Sequence, residues 1–173
     1  METLKDSVTI SEIDASSPEI VIAEARNLLL EYGRFVISHQ EAARFCFGSL
    51  EKEAARLPAS YKEQGGGCLV AFIAAKPAGF VAWRRAPGDL AKTSWEIKRL
   101  WVCPEGRGYG LGRALMQAAL DRAAQAGRNA VYLDTIPSAM QDALKLYHSM
   151  GFTPCAPYND NPVEQIAYFV KNL

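Results

Sequence analysis

The segment Val102-Cys103-Pro104-Glu105-Gly106-Arg107-Gly108-Tyr109-Gly110-Leu111-Gly112-Arg113 constrains this chain more than any other. A strand pattern from Trp95 to Val102 runs into it, and helical periodicity from Leu111 to Ala126 runs out of it. Strand, glycine-rich loop and helix in that order aim several backbone N–H groups at one point and add the positive end of a helix dipole. Glycines let the backbone approach a bulky anion closely. Arg107 and Arg113 add fixed charge suited to phosphate oxygens. The segment reads as a cradle for a pyrophosphate or similar anion. The alternative is a tight strand-to-helix turn with no ligand, and the loop alone leaves the two about even.

The loop departs from two familiar nucleotide motifs. A P-loop needs Gly-Lys-Ser/Thr, which is missing. A dinucleotide fingerprint needs G-x-G-x-x-G, and here Gly108-x-Gly110 is followed by Arg113 at the third glycine position. Asp134 does stand at a strand end about twenty residues further on, as a ribose-binding acid would. That keeps a nucleotide-dependent oxidoreductase open as a weaker reading. The preceding strand counts against it, because Glu96, Lys98 and Arg99 are unlike the apolar central strand of a parallel sheet.

The rest of the chain supplies the frame. Val8 to Ile13 alternates as a half-buried strand, and Ser17-Pro18 opens a helix running toward Gly33. A second helix is expected between Gln40 and Leu57, stopped by Pro58. Cys68 to Ala75 reads as a buried strand, Lys76-Pro77-Ala78-Gly79 as a turn, and Phe80 to Arg85 as the returning strand. After the glycine loop and its helix come a strand at Ala130 to Thr135 and a helix through Met140, Ala143, Leu144 and Tyr147 that Gly151 closes. Two last strands are expected at Phe152 to Ala156 and Ile166 to Val170. The order β-α-α-β-β-β-α-β-α-β-β predicts an α/β (α+β) fold with one mixed sheet and helices on both faces.

Composition narrows the function classes. At 173 residues the chain suits one domain, 1–173. Its formal charge is balanced, so it lacks the basic excess that a nucleic-acid or acidic-membrane partner usually requires. No stretch is apolar for long enough to span a bilayer, and Met1 to Asp6 is unlike a secretory signal. Cys46, Cys68, Cys103 and Cys155 are scattered, with only His39 and His148 beside them. No metal site is expected, and reduced thiols in a cytoplasmic protein are.

Two motifs together carry a family resemblance. Arg107-x-x-Gly110-x-Gly112 matches the Q/R-x-x-G-x-G/A signature of the GNAT acetyltransferases. Leu146-Tyr147-His148-Ser149-Met150-Gly151-Phe152 resembles the family's L-Y-x-x-x-G-F. The likeness covers Trp95 to the end well, and the first half by element order.

The resemblance implies a mostly antiparallel sheet whose fourth and fifth strands splay apart, with acetyl-CoA as acyl donor lying in the gap. Carried over, main-chain groups of Leu100, Trp101 and Val102 would hold the pantetheine arm, and the Leu100 N–H would polarise the acetyl carbonyl. Arg107, Gly108, Tyr109, Gly110, Leu111, Gly112 and Arg113 would surround the pyrophosphate. Tyr147 resembles the general acid beside the CoA sulfur, although spacing alone would make it part of an apolar helix face. Glu96 matches a base glutamate of some members, with an ion pair to Lys98 or Arg99 weighing equally; a water chain is the other route for the proton. Strand alternation puts Glu96, Lys98, Leu100 and Val102 on one face unless a bulge intervenes. Where many members carry an Asn that bonds the pantetheine, this chain has Met140, so Ser138 or water would replace that contact.

The implied activity is acetyl transfer to a primary amine, with a small-molecule amine as partner; the alternative within the fold is a module that senses acyl-CoA without turnover. The acceptor pocket would come from the first two helices and the loop near Asn159 to Pro162, with Phe35, Phe45, Phe47, Trp83, Trp101 and Tyr158 as aromatic candidates. Many members form homodimers, but no segment here marks an interface.

Overall fold

A computed structural model describes residues 7–39 and 44–173, the side chains of 44–47 excepted. In chain order it contains β1 (Val8–Glu12), α1 (Glu19–His39), α2 (Arg44–Ala55), a short α3 (Ala59–Lys62), β2 (Gly67–Ile73) and β3 (Lys76–Arg85). There follow β4 (Ser94–Val102), α4 (Leu111–Gln125), β5 (Ala130–Thr135), α5 (Gln141–Ser149), β6 (Thr153–Pro154) and β7 (Ala167–Asn172). The strands make one seven-stranded sheet in the order β1-β2-β3-β4-β5-β7-β6. Every registered pairing is antiparallel except β4 with β5. That topology removes the oxidoreductase reading, which needs a parallel, doubly wound sheet.

Helices cover both faces because strands β2 to β5 bury residues on both. α4 packs Leu111, Leu115, Met116 and Ala119 against β2, β3 and β4. α1 lies over β3 and β4, burying Ile22, Ala25, Leu28 and Leu29. Phe80, Val81, Leu69 and Val70 are fully enclosed between these layers. At about 25 cal/mol per Å2 of apolar surface removed from water, this sandwich is the main source of stability.

Four local expectations shift. Helix α1 runs past Gly33 to His39, because Gly33 is buried in mid-helix and packing outweighs its propensity. Ser17 Oγ does not cap α1; it accepts the Asp14 N–H at 3.0 Å. The β2–β3 turn falls two residues early, at Ala74 and Ala75 with φ of 46° and 65°, so Lys76 to Gly79 belong to β3. Both residues take the left-handed conformation a two-residue hairpin needs, which alanine gives no sequence sign of. The last pair shrinks to the two-residue β6 against β7. Gln40 to Ala43, expected to open the second helix, lie outside the described residues.

A gap between two strands as the candidate active site

Two features of β4 create the site. The first is where its pairing ends. Ser94, Trp95 and Glu96 pair with Ala130, Val131 and Tyr132, and then the parallel ladder stops, although β4 continues to Val102 and β5 to Thr135. From Ile97 onward the β5-facing edge of β4 has no registered partner.

The second feature is a bulge. The β3–β4 register jumps from Ala82↔Lys98 to Phe80↔Trp101, and Arg99 sits at φ 61°. A left-handed non-glycine residue is a hallmark of a strand forced to accommodate an extra residue. Lys98 and Arg99 consequently face the same side, toward Tyr32 of α1. Val102 points the other way, its Cγ1 lying 3.1 Å from where a Cβ on Gly106 would stand. Simple alternation, which put Glu96, Lys98, Leu100 and Val102 together, therefore holds only before the bulge.

Beyond the open edge lies an outer cleft. Leu100, Trp101 and Val102 line one wall, Arg107 and Gly112 the end, and Ser138 with the start of α5 the other wall. Trp101 is held by an Nε1–H bond to Glu31 Oε2 at 3.1 Å and by Phe35 at 5.0 Å between ring centroids. The Arg107 guanidinium stands 5.9 Å from the Trp101 ring centroid.

The glycine loop ends this cleft. Gly108 and Gly110 have φ of 85° and 74°, and a Cβ on either would meet nothing within 4 Å, so the space above them is open. Gly110 sits at the N-cap of α4 and makes no side-chain cap. The first helical bond here runs from Ala114 N to Gly110 O at 3.1 Å, which leaves the amides of Leu111, Gly112 and Arg113 without an intrahelical partner. Open space, free donors and the helix dipole suit a phosphate group. Arg113 points elsewhere, its Nη2 donating to Ser149 Oγ at 2.5 Å and tying α4 to α5. Tyr109 is exposed.

Tyr147 is buried in the narrow gap between the strands, where Ile97 and Leu100 of β4 face Leu133 and Asp134 of β5. Burial first, then Tyr32 and Asp134, pushes its phenol up, so it stays protonated at neutral pH. Phe152 and Phe169 hold its ring at 5.9 and 6.3 Å.

Glu96 is fully buried and surrounded by donors. Arg84 Nε donates to Oε2 at 2.8 Å, while Tyr158 Oη, Asn159 Nδ2 and Lys98 Nζ donate to Oε1 at 3.0, 3.2 and 3.4 Å. Lys98 Nζ also reaches Asp134 Oδ1 at 3.4 Å. Asp134 Oδ2 accepts from Asn159 at 2.8 Å and Asn161 at 3.0 Å. Burial alone would raise the Asp134 carboxyl, but Lys98 and the two amides outweigh it and hold it below the ordinary 3.8. The pair of Glu96 with Lys98 is among the sequence readings, but the wider network is not legible there, since its members span Arg84 to Asn161 and lie on separate elements.

Past the gap lies an inner pocket, bounded by Tyr32, Val36 and Ile37 of α1, Leu50 of α2, and Asn161 and Val163 of the last loop. Met140 borders the outer cleft, the gap and the inner pocket alike, so the three spaces adjoin. Of the aromatic candidates, Phe35 and Trp101 line the outer cleft, Trp83 stacks on Trp95 at 5.7 Å, and Tyr158 serves Glu96; the side chains of Phe45 and Phe47 lie outside the described residues. His39 borders the outer cleft, and His148 packs edge-on against Phe169 at 5.3 Å. Among the described residues no three His, Cys, Asp or Glu side chains cluster as metal ligands would, and no helix is long and apolar enough to cross a membrane.

Comparison with known proteins places this architecture. An uncharacterised N-acetyltransferase of Schizosaccharomyces pombe is 37% identical over 73 residues, 42% of this chain and 44% of that protein. The matched part is thus less than half the length of that relative. Among solved structures, an acetyltransferase from Streptococcus agalactiae superposes with a TM-score of 0.73 at 18% identity, covering 96% of this chain and 98% of that one. An aminoglycoside 6'-N-acetyltransferase complexed with coenzyme A does so with a TM-score of 0.65 at 16% identity, covering 95% and 96%. At such identities the likeness speaks for the fold. The family model for the Acetyltransferase (GNAT) family matches residues 25–152, and this chain belongs to that family.

Proposed function

We propose that this chain, as one domain spanning 1–173, transfers an acetyl group from acetyl-CoA directly to a primary amine of a small molecule. The observation that carries the reading is the continuity of the three spaces across Met140, with Tyr147 lining the gap. A donor can enter through the outer cleft and an acceptor through the inner pocket, as direct transfer requires.

Bound in the outer cleft, acetyl-CoA would supply an activated thioester. Arg107 and the free amides of Leu111 to Arg113 neutralise its pyrophosphate, with Gly108 and Gly110 leaving room for it. The unpaired edge of β4 takes the pantetheine arm as a substitute strand, and Ser138 stands at the opposite wall. The Leu100 amide donates to the acetyl oxygen and stabilises charge that develops there. Tyr147 gives its proton to the departing sulfur, a task its raised affinity for that proton permits at neutral pH. Glu96, saturated by donors, acts as an electrostatic anchor for Lys98, and water in the inner pocket removes the proton from the amine.

Free-CoA release from acetyl-CoA across an amine panel tests the reading. Turnover with at least one amine is expected. Tight acetyl-CoA binding with no release for any amine would leave the sensing module as the function.

A further inference from the structure

The inner pocket carries an arrangement of charges that narrows the acceptor. This step rests on the acetyl-transfer reading and names the substrate class. Lys98, Arg99 and Asp134 all line the pocket, beside apolar walls from Val36, Leu50 and Val163. Their ion-paired neighbours complete a closed set: Arg84, Lys98 and Arg99 against Glu53, Glu96 and Asp134. Among the described residues, this cluster is electrically balanced before any ligand arrives.

A balanced, mostly buried cluster disfavours a ligand with net charge, because the extra charge would be left without compensation in a poorly solvated place. A plain ammonium or a plain carboxylate is such a ligand. A zwitterion is not.

The bond lengths point the same way. Arg84 meets Glu96 at 2.8 Å, the usual length of a charge-assisted bond. The two cations that face the pocket make longer bonds, Lys98 at 3.4 Å from each carboxylate and Arg99 at 3.3 Å from Glu53 through both nitrogens, with Tyr32 as a further partner of Arg99. Each retains capacity for a closer oxygen. Asp134, by contrast, is fixed by two amides and presents a preorganised anion at the mouth of the gap.

We propose that the acceptor is a free α-amino acid with an apolar side chain. Its ammonium meets Asp134, its carboxylate meets Lys98 and Arg99, and its side chain lies against Val36, Leu50 and Val163. The ammonium gives one proton to water, and its nitrogen attacks the acetyl carbon. An N–C bond forms, the C–S bond breaks, and the second proton reaches the CoA sulfur by way of Tyr147. The products are an N-acetyl amino acid, free CoA and one proton. The product carries a net negative charge into the balanced cluster, which favours its release.

Leucine and isoamylamine share one apolar skeleton and differ only in the carboxylate, so they isolate its contribution. With the wild-type chain and acetyl-CoA, free-CoA release should give leucine a kcat/KM about 10–100-fold above isoamylamine, the scale of a buried charged contact. Glutamate and lysine should be poor. Lys98→Met, with folding checked by its melt, should bring the leucine-to-isoamylamine ratio within about threefold. Isoamylamine used as well as leucine by the wild type would overturn the carboxylate subsite. A strongly polar or polycationic amine as best substrate would overturn the amino-acid class while acetyl transfer stood. If no amine releases CoA, acetyl transfer itself fails. Calorimetry of leucine and isoamylamine against the CoA-loaded chain then decides the subsite alone: tighter leucine sustains it, and equal or absent binding overturns it.

Discussion

Lys98 and Arg99 are consecutive residues of one strand, yet both line the same pocket beside α1, Lys98 reaching Asp134 of β5 and Arg99 coming within 5.8 Å of the Tyr32 ring centroid. The left-handed Arg99 makes this geometry. It costs of order 1–3 kcal/mol and persists because the surroundings hold it, here the paired Glu53 and the packed Tyr32. Deleting Arg99 should leave Leu100 alone opposite Val81 and return β4 to plain alternation, with Trp101 and Val102 still opposite Phe80 and Gly79. Acetyl-CoA binding should then fall by at least about 100-fold, read by calorimetry, because the strand would lose the bend that the extra residue imposes along the edge facing the gap.

Acetyl-CoA should protect the protein from heat. At about 100 times its dissociation constant a ligand adds roughly 2.7 kcal/mol, which for a chain of this size is a rise of roughly 5–10 °C. NADH and ATP should give much smaller shifts, because the loop has neither the third glycine nor the lysine that their motifs need. An NADH shift as large as that of acetyl-CoA would count against the cleft assignment.

Gly110→Asp should abolish CoA binding in a chain that still folds. The φ of 74° strains any side chain, and the added carboxylate would project into the open space over the loop. Gly110→Asn carries the same strain without the charge. Calorimetry should find the Asn variant at least about tenfold tighter than the Asp variant, since only the latter repels a pyrophosphate.

Tyr147→Phe removes one hydroxyl and keeps the ring against Phe152 and Phe169. Stability and CoA affinity should change little. The single-turnover rate should drop by about 10²–10⁴-fold, the range for a general acid. A wild-type single-turnover rate would take the hydroxyl out of the mechanism. Single-turnover measurement is required because slow product release would hide the chemical step.

Glu96→Gln separates the anchor from a base. As an anchor, Glu96 neutralises Arg84 and Lys98 in a buried place, and losing its charge should cost about 2–3 kcal/mol, a fall of roughly 5–10 °C in Tm. If Glu96 were also the base, its loss would slow the chemistry in addition to lowering the melt. The melt and the single-turnover rate, measured together, tell the two apart.

Asp134 sets an acid limit. Its carboxyl is depressed in the folded state, so the stability it contributes is present above its unfolded value near 3.8 and is lost as pH falls through the lower folded value. Stability should therefore decline below about pH 4. Asp134→Asn should be less stable than wild type at neutral pH and should show a shallower acid decline, which denaturant melts from pH 2 to 7 would reveal.

The glycine loop, its flanking strand and helix, and the L-Y-x-x-x-G-F helix end were readable from residues alone, as was the element order. Each is local. Gly108, Gly110 and Gly127 take positive φ because only glycine does so without strain, and helix α4 runs from Leu111 to Gln125 because its apolar spacing says so. Tertiary structure decided the rest. The end of the β4–β5 ladder at Glu96, the reversal of facing at Arg99, and the joining of Arg84, Glu96, Lys98, Asp134, Asn159 and Asn161 into one network all depend on contacts between distant segments. No periodicity encodes where two strands part or which buried carboxylate meets which cation, because those outcomes are set by packing and by the need to pair every charge removed from water.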